Sequence, residues 1–153
     1  MSYKSICALL LVAVTSLCWS ASAKPNFSGE WQLNLSKSNY GSMPAPTSLL
    51  RKITHNDPSL EIVDDQIGGR RTGVNTRKYT AGSPTTFEIN GAAVEGAAAW
   101  EGNSLIVTTK VDSVGLLFKD RMSLSGDGKQ LTSNVQIDSS QGSAQVTLVF
   151  DRL

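Results

Sequence analysis

Between residues 24 and 153 no apolar residue recurs at helical spacing for three turns, and turn-forming residues interrupt the chain at nearly even intervals. This pattern constrains the fold more than any other feature. Glu30 to Leu35 alternates, with Trp31, Leu33 and Leu35 on one face, and a loop follows from Ser36 to Pro46 with Gly41, Pro44 and Pro46. Leu49 to Thr54 is closed by His55-Asn56-Asp57-Pro58, and Leu60 to Ile67 ends at Gly68-Gly69. Arg71 to Thr80 leads into Ala81-Gly82-Ser83-Pro84. Thr85 to Ile89 then meets Asn90-Gly91, two residues that tolerate the positive φ of a type I′ hairpin turn. Ala92 to Trp100 turns into Leu105 to Val111, Gly115 to Leu124 turns into Gln130 to Ile137, and Ala144 to Arg152 closes the series.

Short segments joined by hairpin-length loops pair with their sequence neighbours, so the chain reads as an up-and-down meander. An open sheet of that many strands leaves two costly edges, which closure removes. The predicted fold is therefore all-β, a single antiparallel barrel of about eight to ten strands. Gly96-Ala97-Ala98-Ala99 has helical propensity, but it lies between Val94 and Trp100 inside turn signals and is kept as strand.

The late segments define an inner face. Leu116, Phe118, Met122 and Leu124 share a parity, as do Leu131, Val135 and Ile137, and Val146, Leu148 and Phe150. Asp120 falls on the apolar parity of its strand. Two readings stand. A strand-end or bulge artefact of register is favoured, because register slips easily in a sequence reading. The other is a buried carboxylate facing a cavity.

The first 23 residues have the three parts of a secretory leader. Lys4 supplies positive charge, an apolar core runs from Ile6 to about Trp19, and Ala21-Ser22-Ala23 puts small residues before a cleavage point at Lys24. The apolar run is shorter than the roughly 20 residues that span a bilayer, and no stop-transfer pattern follows it. Acylation at Cys18 is disfavoured by the bulky Leu17 before it. The expected division is thus a cleaved signal peptide, 1–23, and one barrel domain, 24–153, exported to the periplasm or the extracellular space.

Cleavage would remove Cys7 and Cys18, the two cysteines of the chain, and with them disulfides, thiolate metal sites and cysteine nucleophiles. One of the 14 basic side chains, Lys4, lies in the leader, so 13 remain against 13 acidic ones. That neutrality argues against a nucleic-acid partner and gives no electrostatic reason to sit on an anionic membrane. Arg70-Arg71 with Arg77-Lys78, downstream of Asp64-Asp65, reads as a solvated hairpin with opposite charges on facing strands; an anion site is the alternative.

Asn26-Phe27-Ser28-Gly29-Glu30-Trp31 places Gly-x-Trp at the start of the first strand. This resembles the calycin superfamily of lipocalins, fatty-acid-binding proteins and avidins. With Lys37-Ser38-Asn39-Tyr40-Gly41 and the turn Asp127-Gly128-Lys129, it looks like a group of small exported bacterial lipocalin-like proteins. The resemblance implies that a basic residue near the chain end covers the Gly-x-Trp tryptophan. Gly29, Trp31 and Arg152 are the residues here, with an Arg152 frayed into solvent as the alternative. Fatty-acid-binding proteins place two lid helices between their first two strands. Ser36 to Pro46 is too short and too rich in turn formers to hold them, which favours a lipocalin or avidin style of open mouth.

A barrel of this size is filled by side chains or holds one small ligand. The small residues from Gly91 to Ala99 suggest unfilled volume. Tyr79, Phe87, Trp100, Phe118 and Met122, with Asp120, are the candidate ligand-binding residues, each with plain core packing as the alternative. His55, the single histidine, sits in a turn sequence and is expected in solvent. A multi-histidine metal site is excluded, and no Gly-x-Ser-x-Gly elbow or phosphate loop is present. No catalytic residue, metal or cofactor is expected. The leading expectation is a non-enzymatic barrel for a small apolar ligand. A protein-binding barrel, such as a secreted inhibitor or an envelope assembly factor, comes second. A small enzyme using interior carboxylates such as Asp120 comes third.

Overall fold

The computed structural model describes residues 23–153, so the expected signal peptide lies outside the described residues except for Ala23. Ten strands follow: β1 (Gly29–Leu33), β2 (Pro46–Asn56), β3 (Ser59–Gly68), β4 (Gly73–Thr80), β5 (Thr85–Ile89), β6 (Ala92–Glu101), β7 (Ser104–Val111), β8 (Leu116–Leu124), β9 (Gln130–Ser139) and β10 (Gly142–Arg152). They form one antiparallel sheet in the order β4-β3-β2-β1-β10-β9-β8-β7-β6-β5. Every neighbouring pair except β1–β10 is a sequential hairpin, as the turn spacing predicts. Asn90 and Gly91 take φ of 50° and 78°, the conformation that the I′ turn requires.

The sheet curls into a barrel that is nearly closed. β4 and β5 are its two ends and share no ladder; isolated bridges Thr80–Ser83 and Ala81–Ala98 span the gap there. Aromatic side chains fill it. Tyr79 and Phe87 meet edge to face at 5.3 Å, and the Tyr79 hydroxyl lies 2.6 Å from the Thr109 hydroxyl of β7. Gly96 makes room for both rings: a Cβ there would stand 2.6 Å from Phe87 Cε1 and 2.9 Å from Tyr79 Cδ1. The small-residue run therefore does not simply leave volume empty. Ala93, Ala97 and Ala99 face outward, and the bare backbone of Gly96 is occupied by the aromatic pair.

One end of the barrel is sealed. The buried Phe27 stacks on Trp100 at 6.0 Å and lies 5.7 Å from the His55 ring. His55 ends up buried here, because β2 runs on to Asn56 and keeps its alternation with Arg51 and Ile53 inward. Its Nδ1 accepts a hydrogen bond from the Phe27 N–H at 3.2 Å, so the solvent-facing turn expected of it is not formed. Beside it, Trp31 Nε1 donates to the Phe27 carbonyl at 3.1 Å. The Arg152 guanidinium lies over the Trp31 ring at 4.1 Å and donates to the Ser28 and Gly128 carbonyls. Gly29 permits this approach: its φ is 146°, and a Cβ there would meet Arg152 Nη1 at 2.5 Å.

The opposite end carries the connections after β1, β3, β5, β7 and β9 and is open. Between β1 and β2 stands a single three-residue 3-10 helix, Leu35–Lys37, in place of any lid helices. Beyond it Asn39 pairs with Thr147 of β10, and Tyr40 and Met43 pack against the core.

Candidate functional site

A cavity of about 410 Å³ lies inside the barrel toward the open end. Eight apolar side chains form much of its wall: Leu49, Ile89, Val107, Val111, Leu116, Phe118, Val135 and Leu148. The remaining wall is charged or polar. Arg51, Arg70, Arg71 and Arg77 face Asp64 and Asp120, with Gln66, Asn75 and Thr109 among them. The lining thus carries four guanidiniums against two carboxylates.

Strand parity brings the charged groups inside. Arg51 shares the inward face of β2 with Leu49 and Ile53, and Asp64 shares that of β3 with Leu60 and Ile62. Arg77 shares that of β4 with Asn75 and Tyr79. Asp64 is the hub. It accepts Arg51 Nε at 2.7 Å and Arg51 Nη2 at 3.0 Å in a fork, and Arg77 Nη2 at 2.7 Å. Burial pushes the Asp64 carboxyl up, but the Arg51 and Arg77 guanidiniums outweigh it and hold the group below the usual carboxylate range. Arg51 also covers the Phe150 ring at 4.6 Å and donates Nη1 to Ser133 Oγ at 3.0 Å.

Asp120 is placed differently. It is 4% exposed on β8, faces the cavity, and accepts the Ser133 hydroxyl at 3.0 Å. Its nearest guanidinium nitrogen, Arg51 Nη1, stands 3.9 Å away. Burial pushes its carboxyl above the ordinary value, and Arg51 and Arg77 offset this only in part. Asp120 Oδ1 and Arg77 Nε have no hydrogen-bond partner in the protein. Tyr40 Oη, also unpartnered, senses the charges of Arg51 and Asp64, and burial pushes its hydroxyl up to about 12. All three unpartnered buried side-chain atoms found among the described residues thus belong to one neighbourhood. Buried polar atoms are satisfied as a rule, so such a cluster marks a place built to meet another polar group.

Of the six candidate ligand-binding residues, Phe118 and Asp120 line this cavity. The register at Asp120 is regular, pairing it with Val107 and Val135, so the favoured artefact reading does not hold. The other four lie away from the lining. Tyr79 and Phe87 plug the β4–β5 gap, Met122 is fully buried in the core, and Trp100 sits at the sealed end with Nε1 donating to Asp57 at 3.0 Å. Sequence reasoning missed Arg51, and it weighed Arg77 near Asp64 as an anion site only as the alternative to a solvated hairpin. The solvated-hairpin reading fits the exposed Glu61–Lys78 pair at 3.2 Å, but Asp64 and Arg77 turn inward. Their place on the same parity as Leu60, Ile62 and Tyr79 was the available signal.

Among the described residues no cluster of three or more His, Cys, Asp or Glu side chains converges to hold a metal, and no helix is long and apolar enough to cross a membrane. A second depression, of about 480 Å³, lies outside the barrel wall and mixes Glu101, Lys119 and Arg121 with uncharged polar groups.

No protein-family model and no curated protein sequence matches the chain. Solved structures do match in shape. The zebrafish ileal bile acid-binding protein complexed with cholic acid is similar with a TM-score of 0.62 at 17% identity, over 83% of this chain and 98% of that one. The Echinococcus granulosus fatty-acid-binding protein 1 gives 0.58 at 10% identity, over 83% and 97%. The secretory abundant heat soluble protein 4 from Ramazzottius varieornatus gives 0.60 at 11% identity, over 86% and 96%. The likeness includes the fatty-acid-binding branch that the missing lid helices argued against. At these identities it establishes architecture alone: the chain shares the antiparallel barrel fold of these structures, with its interior partly open and charged.

Proposed function

We propose that this protein is an exported, non-enzymatic barrel that binds one small amphipathic molecule, apolar body along the wall and acidic head at the arginine cluster. The observation that carries this reading is the lining itself, where eight apolar side chains stand beside four guanidiniums and only two carboxylates. Pockets for small molecules are lined in this way, mostly apolar with a few placed polar groups, and have volumes of roughly 300–1,000 Å³. The excess of positive charge in the lining comes from the half-buried Arg71 and the exposed Arg70 and favours an anion, and a guanidinium holds an oxyanion by charge-assisted hydrogen bonds.

Barrels of the same shape include one in complex with cholic acid and one named for fatty acids, which supports a ligand of this class. The leader-like residues 1–23 support export to the periplasm or the extracellular space. The protein-binding reading retains one observation. Five exposed large apolar side chains, Leu35, Ile67, Val74, Val114 and Leu117, sit at the open end. The open cavity beneath them favours the ligand.

Calorimetric titration with dodecanoate tests the proposal. We expect saturable binding of one molecule per chain, weakened when Leu116→Trp fills the mouth of the cavity. Absence of saturable binding, or binding indifferent to Leu116→Trp, would count against it.

A further inference from the structure

The two carboxylates inside the barrel are not equivalent. Asp64 takes three guanidinium hydrogen bonds, which leaves it ionised and uses the fork of Arg51 and one N–H of Arg77. Asp120 takes none; its one protein hydrogen bond comes from the Ser133 hydroxyl. Both Asp120 and Arg77 line the cavity, and Asp120 Oδ1 and Arg77 Nε are buried there without a partner in the protein. The groups packed around Asp120 are few. Arg51 comes from β2, Asp64 from β3, Arg77 from β4, and Ser133 from β9. β7 places Val107 beside it and adds Thr109 to the same wall, neither of them charged. Lys119 and Arg121, its neighbours on β8, point to the outside.

We propose that Asp120 makes ligand binding proton-linked: the cavity takes up an oxyanion on an apolar body together with one proton from solvent, held on Asp120 Oδ1 between the two acidic groups. This rests on the acid-head reading of the cavity and sharpens it. An ionised Asp120 and a bound anion compete for the same positive charge, that of Arg51 and Arg77, and two negative charges at one site cannot both be neutralised there. The raised carboxyl of Asp120 is in accord. With the proton in place, Asp120 Oδ1 becomes a donor to the oxyanion, and Arg77 Nε donates beside it. The one bond exchanged is an O–H bond, broken in solvent and formed on the carboxylate. The proton moves from water to a carboxylate on binding and returns on release. Acidification therefore favours loading, and alkalinisation favours release.

The test uses two fluorescent dyes of nearly the same aromatic body. Anilinonaphthalenesulfonate carries a sulfonate that stays ionised throughout, and phenylnaphthylamine carries no charge. We expect the sulfonate dye to bind the protein more weakly as pH rises, approaching about tenfold per pH unit across the interval between the free and ligand-bound titrations of Asp120. In weakly buffered solution its binding should remove close to one proton per dye from solvent. The uncharged dye should bind with flat pH dependence and no proton uptake. Asp120→Asn should flatten the sulfonate titration and abolish the proton uptake. Pre-bound dodecanoate should displace both dyes.

A sulfonate affinity that is flat in pH, with no proton uptake by the wild-type protein, would overturn the proton linkage and leave the binding proposal standing. The uptake measurement decides this even if Asp120→Asn does not fold. Failure of both dyes to bind, or dodecanoate that displaces neither, would overturn the binding reading and the linkage with it.

Discussion

Replacing Asp64 with asparagine tests the organisation of the interior at its hub. The wild-type carboxylate accepts hydrogen bonds of 2.7, 3.0 and 2.7 Å from two guanidiniums, whose side chains are 4% and 15% exposed. Asparagine keeps the size but removes the charge, and it turns an amide donor toward groups that are themselves donors. Breaking a buried ion pair from one side costs about 3–5 kcal/mol, because the partner charges stay buried. Asp120 can ionise in compensation, but its nearest guanidinium nitrogen lies 3.9 Å away, so it replaces Asp64 only in part. We therefore expect a loss of about 3 kcal/mol at neutral pH, the lower end of that range. Urea unfolding followed by tryptophan fluorescence is the assay, since Trp31 and Trp100 both sit at the sealed end. With a slope of roughly 1–3 kcal/mol/M, the midpoint should fall by about 1–3 M. The deficit should fade in acid. The folded state holds Asp64 below its ordinary 3.8, so its contribution is present above that value and lost as pH falls through the depressed one. A loss of under about 1 kcal/mol would refute the reasoning, since it is what an exposed pair would give.

Three further outcomes follow from particular contacts. Gly96→Ala places a methyl group 2.6 Å from Phe87 Cε1, and overpacking of this kind costs about 1–3 kcal/mol; thermal unfolding should show the loss, with relief when Phe87→Leu is added. A double-mutant cycle of Trp31→Leu and Arg152→Ala should give a coupling of about 0.5–1 kcal/mol, and strictly additive losses would deny the contact any worth. Asp120→Asn should gain on the wild type as pH rises. Burial raises the Asp120 carboxyl above 3.8 in the folded state, so its stabilisation is full below that value and lost as pH climbs through the raised one. A stability difference that is constant from acid to neutral pH would argue against this.

The barrel itself was legible in the sequence because a meander declares itself locally. Hairpin turns such as Asn90-Gly91 and period-two alternation such as Val146, Leu148 and Phe150 each carry their own signal. The near closure between β4 and β5 was not legible, since these consecutive strands form no ladder and meet through the packing of Tyr79 and Phe87 over Gly96. His55 was misplaced because the turn at Asp57-Pro58 was read as beginning two residues too early, and β2 carries the ring inward before the turn begins.

The site was harder to read because its chemistry violates the rule by which strand faces are assigned. A period-two reading looks for apolar residues on the inner face, and Arg51, Asp64, Arg77 and Asp120 occupy inner positions as charges. Only Asp120, on an otherwise clean apolar parity, stood out. Of the aromatic candidates, Phe118 lines the cavity, whereas Tyr79, Phe87 and Trp100 are taken up by packing in the β4–β5 gap and at the sealed end.

The account rests on an acidic head meeting the guanidinium cluster, and Arg77 is the guanidinium with an unpartnered N–H there. Calorimetric titration of dodecanoate into the wild type and into Arg77→Met is the most direct test, because methionine keeps much of the apolar stem while Asp64 retains Arg51. Loss of a charge-assisted hydrogen bond is worth about 1.5–3 kcal/mol, so the variant should bind dodecanoate at least about tenfold more weakly. Equal affinity in the two proteins would contradict the account.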